Sequence, residues 1–312
     1  MDFRVSADQQ ALKDGVRSFC DGCFSLDTLR ELEDKGGFDR PLWKDLAELG
    51  VFALRLPEEQ GGTDLGMAEA VLVFEELGRA LVPGPVLWSH LAAGLVEGAA
   101  SGDVVVGALD LTGAACEPYL VEHRDALDVL LVLRREGVER IDPTRLSAEP
   151  VATPLDPLTP LHHVAELPPG EEIGGADTAR ELRLAGAALA AGQLLGIAEA
   201  TLDLALDYAK EREQFGRVIG SFQALKHMLA DMFARRELAR AGAYAAAATL
   251  DHPEVGDVER AVSTGKLIAY EAAMKNARAC IQIHGCMGYT WEVPVHYYYK
   301  RAWVLQSLFG SS

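Results

Sequence analysis

The sequence of 312 residues is poor in positive charge. It has 29 Lys and Arg residues against 47 Asp and Glu residues, which gives a formal net charge of −18 at pH 7. A surface with this charge repels phosphate backbones and anionic lipid headgroups, so we expect neither nucleic acid nor a membrane among its partners. The ordinary proportions of hydrophobic residues (49%) and charged residues (24%) exclude a wholly disordered chain.

Cysteine and long apolar segments are also scarce. Five cysteines, an odd number, do not form the framework of a disulfide-rich secreted protein and fit a reducing compartment. The first residues lack the basic and apolar parts of a secretory signal. The longest apolar run, residues 184–198, is interrupted by Gln193 and three glycines, so we interpret it as a buried helix and not as a membrane span. These absences predict a cytoplasmic protein.

One pair of cysteines has a spacing that is found in redox and zinc sites. Cys20 and Cys23 form a Cys-x-x-Cys pair, but no second pair and no histidine follows at zinc-finger spacing. The residues around them have a helical pattern. We therefore interpret both as buried or idle thiols and expect no metal site.

The chain divides into three zones by composition. Residues 1–98 have helical apolar spacing broken by glycine-rich turns. Residues 99–175 contain short apolar runs and five prolines between 143 and 160, which forbid long helices and predict a small, reduced β domain. Residues 176–312 return to long helical patterns. We therefore predict a mainly α fold, in which an N-terminal helical domain and a reduced β domain precede a C-terminal four-helix bundle.

Start and stop signals mark the four helices of the bundle. Residues 178–181 (Thr-Ala-Arg-Glu) match a capping box, so the first helix is predicted to begin there and to end near residue 213. The second helix is predicted to begin near residue 221. The third is predicted over residues 253–285 and the fourth over residues 294–310, each with proline near its start and glycine at its end. The short links between them predict an antiparallel bundle.

Three stretches of the chain resemble the acyl-CoA dehydrogenase family. The first combines LAELGV at 46–51, LPEEQGG at 56–62 and FEELGR at 74–79. The second is REQFG at 212–216, and the third is QIHGCMGY at 282–289. Each stretch alone is a weak signal, but the three occur in the family's order and span both helical zones. Their joint occurrence makes the resemblance specific.

The resemblance implies an FAD-dependent enzyme that oxidises the α,β bond of an acyl-CoA thioester. In the family an Arg-x-x-Phe-Gly motif reaches across a subunit interface to the neighbour's FAD, and here it corresponds to Arg212, Gln214 and Phe215. Arg212 can form a forked contact with a phosphate. Gln223 matches the family's glutamine at the adenine end. The loop whose backbone approaches the same FAD corresponds to Gln282, Ile283, His284, Gly285 and Cys286. The family's usual Gly-Gly pair in this loop reads Gly-Cys here.

The family's catalytic base has no counterpart in the sequence. Most members have a glutamate near the end of the last bundle helix, and the resemblance places Phe309, which cannot accept a proton, at this position. In a smaller branch the base lies early in the first bundle helix, at a position that corresponds to Arg180. Glu181 is adjacent, but one residue turns a helix by about 100°, so its side chain would point elsewhere. Its place in the capping box is the simpler interpretation.

The β zone also lacks a family element. The segment that covers the flavin ring in the family, Tyr-x-x-Thr-Glu-Pro followed by Gly-Ser-Asp, has no counterpart between residues 102 and 170. The chain therefore resembles a half-site that serves a neighbour's FAD and lacks the parts for its own. We expect an α2β2 heteromer in which a full-length acyl-CoA dehydrogenase subunit supplies the base and FAD is shared across the interface. Such paired dehydrogenases are known in actinobacterial steroid degradation, so the expected acyl-CoA substrate is a steroid side-chain thioester.

Two alternatives remain open. The chain could be a self-sufficient dehydrogenase with a relocated base, for which Glu181 is the nearest candidate. It could also be a flavin-free assembly scaffold. The retention of Arg212, Phe215, Gln223 and Gln282 argues against the scaffold, because a scaffold needs no cationic fork at an interface.

Overall fold

A computed structural model describes residues 5–113 and 117–310 of the chain. Its N-terminal part is helical because polar caps precede amphipathic runs. The side chain of Ser6 accepts from the backbone N–H of Gln9, and the Gln9 side chain accepts from the Ser6 N–H, which begins the first helix. The helices of this part are α1 (Ala7–Cys23), α2 (Leu26–Asp34), α3 (Arg40–Glu48), α4 (Met67–Arg79) and α5 (Val86–Ala92).

A small β region follows the helices, as the short apolar runs and the prolines predict. Its strands are β1 (Val106–Asp110), β2 (Tyr119–Glu122), β3 (Val129–Leu133), β4 (Gly137–Ile141), β5 (Ala148–Pro150), β6 (Leu161–Val164) and β7 (Glu171–Gly175). One sheet has the strand order β1-β3-β4-β7, and a second has the order β2-β6-β5. The strand β3 lies inside the first sheet with its side chains largely buried, which explains its continuous apolar sequence.

Four long helices form the C-terminal part, as predicted. They are α6 (Ala176–Glu211), α7 (Gln223–Asp251), α8 (Val258–His284) and α9 (Val295–Ser307), with a hairpin of β8 (Glu213–Gln214) and β9 (Arg217–Val218) between the first two. The mainly α fold class is confirmed.

The predicted starts of two helices are wrong. The strand β7 leads directly into α6, whose N-cap is Gly175 without a side-chain hydrogen bond, so the capping box predicted at 178–181 lies inside the helix. The helix α8 begins after Asp257, whose side chain accepts from the Arg260 N–H, and Pro253 lies in the preceding turn. In both places the backbone finds an earlier or better cap than the sequence pattern suggests.

The helix α6 is the central element of the core. It is long and apolar enough to span a membrane by length and composition, but 83% of its most apolar window is buried inside the protein. This burial confirms the interpretation of residues 184–198 as a core helix. The helix α4 packs closely against it, since a Cβ at Gly196 would lie 1.9 Å from the carbonyl oxygen of Glu75. A larger side chain at this position would separate α4 from the bundle.

A buried ionic network ties α1 to the rest of the molecule. Arg17 on α1 donates to both carboxylate oxygens of Glu76 at 2.8 Å, and Lys13 donates to Glu75 at 2.7 Å. Arg17 also donates to Glu199 on α6 at 3.2 Å, and Arg240 on α7 donates to the same carboxylate at 2.7 Å. Glu75 and Glu76 are fully buried, so these cations compensate for the loss of hydration. The N-terminal helices and the bundle are therefore one packed unit.

The cysteines of the Cys-x-x-Cys pair lie at the end of α1. Cys20 is buried, and burial raises the pKa of its thiol to about 12. Burial also raises the pKa of the Cys23 thiol. Both thiols are therefore protonated at neutral pH, which agrees with their interpretation as idle groups.

A buried histidine on α5 predicts a dependence of stability on pH. The Nδ1 of His90 lies 2.8 Å from the carbonyl oxygen of Val51, and burial lowers the pKa of His90 to about 4. Between pH about 6.5 and 4 the unfolded chain therefore binds a proton that the folded chain excludes, so the free energy of unfolding falls as the pH is lowered through this window. We expect His90→Gln to remove up to about 1.4 kcal/mol per pH unit of this slope.

Urea denaturation at several pH values between 7 and 5 measures this slope. His252 is exposed, so His252→Gln is a matched control that should leave the slope unchanged. An unchanged slope in His90→Gln as well would contradict the assignment of a neutral, buried imidazole.

Candidate functional site

The REQFG motif forms a short hairpin on the surface between α6 and α7. Arg212 ends α6, where its backbone N–H donates to the Tyr208 carbonyl at 2.9 Å. β8 and β9 then pair around the turn, and Phe215 at the tip has a left-handed backbone with φ of 55°. Its ring lies edge-on to Phe222 at 6.1 Å yet is 91% exposed. An aromatic side chain held in this way is positioned to contact a surface outside the chain.

The guanidinium of Arg212 is not used by the described part of its own chain. It is exposed and forms neither an ion pair nor a hydrogen bond within residues 5–113 and 117–310. Neighbouring cations are engaged: Lys210 pairs with Asp207 at 3.3 Å, and the Arg217 guanidinium lies 4.1 Å from the centre of the Phe222 ring. Arg212 is therefore free to form a forked contact with an external anion such as a phosphate.

Two predicted glutamines lie beside this arginine. Gln214 is exposed in β8, and its side-chain amide donates to the Glu213 carbonyl at 2.8 Å. Gln223 is the first residue of α7 and is also exposed. Backbone N–H groups at a helix start have no partner within the helix and favour negative charge. The hairpin thus places one cation, two amides and a helix start on the same part of the surface.

The loop of residues 282–286 joins the hairpin through a stacking contact. The His284 ring stacks on Tyr208, near the end of α6, with 4.2 Å between ring centres. His284 Nδ1 also lies 2.9 Å from the Cys280 carbonyl oxygen, and burial lowers the pKa of His284. Since Arg212 follows Tyr208 by one helical turn, this contact brings the two motifs together.

Within that loop the side chains divide into two groups. Those of Ile283 and His284 are buried and hold the loop to the bundle, so only their backbone is placed to contact a ligand. Gln282, Gly285 and Cys286 are exposed. Gly285 has φ of 60°, and a Cβ added there would meet nothing within 4 Å. The backbone at Gly285 is therefore open to the outside.

Phe309 lies in the core and fills the space around its position. It is only 5% exposed, its ring lies 4.4 Å from that of Trp88, and its backbone has φ of 55°. On the other side it packs on α6, where a Cβ at Gly186 would lie 2.1 Å from the Phe309 ring. Gly186, Trp88 and Phe309 therefore form a complementary apolar plug at the position that the resemblance assigns to the base.

Glu181 and Arg180 do not face this plug. Arg180 donates to Glu259 at 3.0 and 2.9 Å on the surface, and Glu181 lines a separate cavity near the start of α6. The α6 residue that faces Phe309 is Gly186. The resemblance offers two positions for the base, one at the end of the last helix and one early in the first bundle helix, and a base at either must reach the same substrate carbon. The two positions must therefore lie close together. The contact with Phe309 favours Gly186, and not Arg180, as the counterpart of the second position. The argument from a capping box also fails for Glu181, since the helix begins at Ala176.

The sequence offered no signal for the partners of Phe309. Trp88 lies on α5 and Gly186 on α6, and neither belongs to the stretches that carry the resemblance. A glycine inside a helical pattern indicates a close approach by another group, but it does not say which group approaches.

Comparisons with protein families identify both helical parts of the chain. Residues 6–100 match the model of the acyl-CoA dehydrogenase N-terminal domain, and residues 174–312 match that of the acyl-CoA dehydrogenase C-terminal domain. The acyl-CoA dehydrogenase IpdE2 of Mycobacterium tuberculosis is 39% identical over 85% of this chain and 81% of its own length. The IpdE2 of Mycolicibacterium smegmatis is 32% identical over 98% of this chain and 96% of its own length.

Solved structures share the whole fold. A chain of the ChsE4–ChsE5 complex from Mycobacterium tuberculosis superposes with a TM-score of 0.83 and 25% identity, covering 100% of this chain and 95% of its own. A chain of the Tcur3481–Tcur3483 steroid acyl-CoA dehydrogenase variant superposes with a TM-score of 0.85 at 22% identity, covering 99% of this chain and 95% of its own. The second likeness, at this identity, shows the fold alone.

Proposed function

Because this chain belongs to the acyl-CoA dehydrogenase family, we propose that it is the half-site subunit of a heteromeric, FAD-dependent acyl-CoA dehydrogenase. The observation that carries the proposal is a contrast between its two sites. Most of the residues that would serve a neighbour's FAD are exposed, and the Arg212 guanidinium has no ion pair or hydrogen bond within the described residues. In contrast, the position that the resemblance assigns to the chain's own base is filled by the buried Phe309.

The exposed residues suit an anionic dinucleotide. Arg212 would hold a pyrophosphate oxygen pair, while Gln214 and Gln223 would offer amides nearby. Phe215 would pack against the cofactor or the partner, and the open backbone at Gly285 would allow a close approach. When bound, the flavin supplies the acceptor for the two electrons that leave the substrate. This chain's contribution is to bind and orient the group and to exclude water from one side of it.

The outer faces of the bundle support a partner subunit. Large apolar side chains are exposed on three of its helices: Phe233 (52%) and Leu238 (62%) on α7, Leu267 (51%) on α8 and Trp303 (41%) on α9. Exposed apolar side chains of this size are typical of surfaces that another chain covers. We propose that the partner is a full-length acyl-CoA dehydrogenase subunit, in an α2β2 assembly, which supplies the catalytic carboxylate.

The substrate class is proposed from the same comparison. The ChsE4–ChsE5 complex is an assembly of two named chains, and the Tcur3481–Tcur3483 protein is described as a steroid acyl-CoA dehydrogenase. The β region of this chain is short. At the interface it would leave room for a bulky acyl group, room that the longer β domain of a complete subunit would fill. We therefore propose a steroid side-chain CoA thioester as the substrate.

A self-sufficient enzyme with Glu181 as the base makes a different prediction. In that case the chain purified alone would oxidise an acyl-CoA, and Glu181→Gln would abolish turnover. We expect no turnover from either protein, because Glu181 lies outside the plug around Phe309 and is exposed to solvent. An anaerobic assay with an artificial electron acceptor measures this directly, and activity that Glu181→Gln removes would overturn the half-site proposal.

A further inference from the structure

A cavity of 560 Å³ lies between the N-terminal helices and the bundle, apart from the FAD-facing surface. It is bounded by the segment between α3 and α4, by α5, by the first turns of α6 and by the link between α7 and α8. Its size suits a small organic ligand. Most of its walls are apolar, and they include Phe52, Leu56, Met67, Leu91, Leu182 and Val258.

Arg55 is the one cation of this cavity that lacks a partner in the described part of the chain. Its guanidinium makes no hydrogen bond or ion pair there, although Asp251 and Glu181 lie near enough to affect its charge. Burial lowers the pKa of Arg55 by more than these two carboxylates raise it. The Arg55 side chain is exposed to solvent at the cavity, so its guanidinium is accessible to a ligand.

Two other charged groups at the cavity, Asp251 and Arg180, already have hydrogen-bond or ion-pair partners. Asp251 accepts from the backbone N–H groups of Met67 at 2.8 Å and Ala68 at 2.9 Å, which caps the start of α4. Arg180 is paired with Glu259 at 2.9 Å. The cavity is thus left with one uncommitted cation, Arg55, and one competing carboxylate, Glu181.

We propose that this cavity binds an amphipathic monocarboxylate, with its apolar body against the helices and its carboxylate on Arg55. Arginine matches a carboxylate with two parallel N–H groups, so a single guanidinium is a sufficient anchor for one such group. A polyphosphate ligand does not fit this arrangement. It carries several negative charges, and the cavity offers it one free cation beside Glu181.

The test is the binding of decanoate and 1-decanol to the full-length chain by isothermal titration calorimetry. We expect Arg55→Gln to weaken decanoate binding by about tenfold or more and to leave decanol binding unchanged, because only the carboxylate uses the guanidinium. Glu181→Gln should tighten decanoate binding about threefold, since it removes the competing charge. Arg140→Gln, which breaks an exposed pair with Glu171 outside the cavity, is the matched control and should change either affinity by less than about twofold.

A cavity-filling variant checks the location. Gly94 lines the cavity, and a Cβ there would be 3.4 Å from Leu56 Cδ2, an ordinary contact. Gly94→Leu should therefore abolish binding of both probes while the circular dichroism spectrum stays unchanged. Equal decanoate affinity in the parent chain and Arg55→Gln would overturn the proposal. Displacement of decanoate by decanoyl-CoA would overturn it too, because the cavity would then be a thioester site.

Discussion

Arg212→Ala abolishes stoichiometric flavin in the purified heteromer while the complex itself persists. This is the expected result if Arg212 holds a pyrophosphate oxygen pair of the shared FAD. The side chain is exposed and unengaged within the described residues, so its removal disturbs no internal contact of this chain. A charge-assisted contact is worth about 1.5–3 kcal/mol, which corresponds to FAD binding that is about 10–100-fold weaker.

Two variants separate this effect from a change in net charge. Lys210→Ala removes the same charge two residues away, from a side chain that pairs with Asp207, and it should leave the flavin content unchanged. Arg212→Lys keeps the charge without the fork and should give an intermediate affinity. Flavin absorbance per mole of complex gives the measurement. A full complement of FAD in Arg212→Ala would favour the flavin-free scaffold.

Phe309→Glu does not create an active subunit, although it restores the family's residue at the position of the base. The side chain at 309 packs on Trp88 and Gly186, so a carboxylate there loses most of its hydration. The two cations of the adjacent pocket are already engaged, since Lys266 donates to the backbone carbonyls of Leu308 and Gly310 and Arg183 pairs with Asp110 at 3.3 Å. We expect a loss of about 3–5 kcal/mol in the free energy of unfolding. The chain alone should show no acyl-CoA oxidation and no bound flavin.

The apolar variant Phe309→Leu is the matched control for this change. It keeps the plug apolar and should cost about 1–2 kcal/mol. Guanidinium denaturation monitored by circular dichroism compares the three proteins. Turnover by Phe309→Glu on its own would contradict the account, because it would mean that this chain needs only a base to complete a site of its own.

The sequence was sufficient to predict the mainly α fold, whereas the FAD-contacting roles of the outward-facing residues stay predictions. The helical spacing of apolar residues and the order of three short stretches indicate the fold, and each of these signals lies within a few consecutive residues. The start of α6 was predicted two residues late because β7 leads directly into the helix at Gly175, a connection that depends on strand pairing. Such pairing joins residues that are distant in the sequence.

The parts that could not be predicted are contacts between distant segments. Phe309 lies just after α9 and meets Trp88 on α5 and Gly186 on α6, and nothing near Phe309 in the sequence indicates the space it fills. The lack of an ion pair for the Arg212 guanidinium within the described residues could not be predicted either, because several acidic residues lie near Arg212 along the chain. Within the described residues none of them pairs with Arg212, and Asp207 pairs with Lys210 instead.

The most direct test of the central claim is the flavin content of this chain, alone and co-purified with a full-length acyl-CoA dehydrogenase partner. Visible absorbance per mole of protein and the mass of the complex are measured together. The half-site account predicts no flavin on the chain alone and one FAD for each pair of unlike chains in a four-chain complex. Stoichiometric flavin on the chain by itself would contradict it.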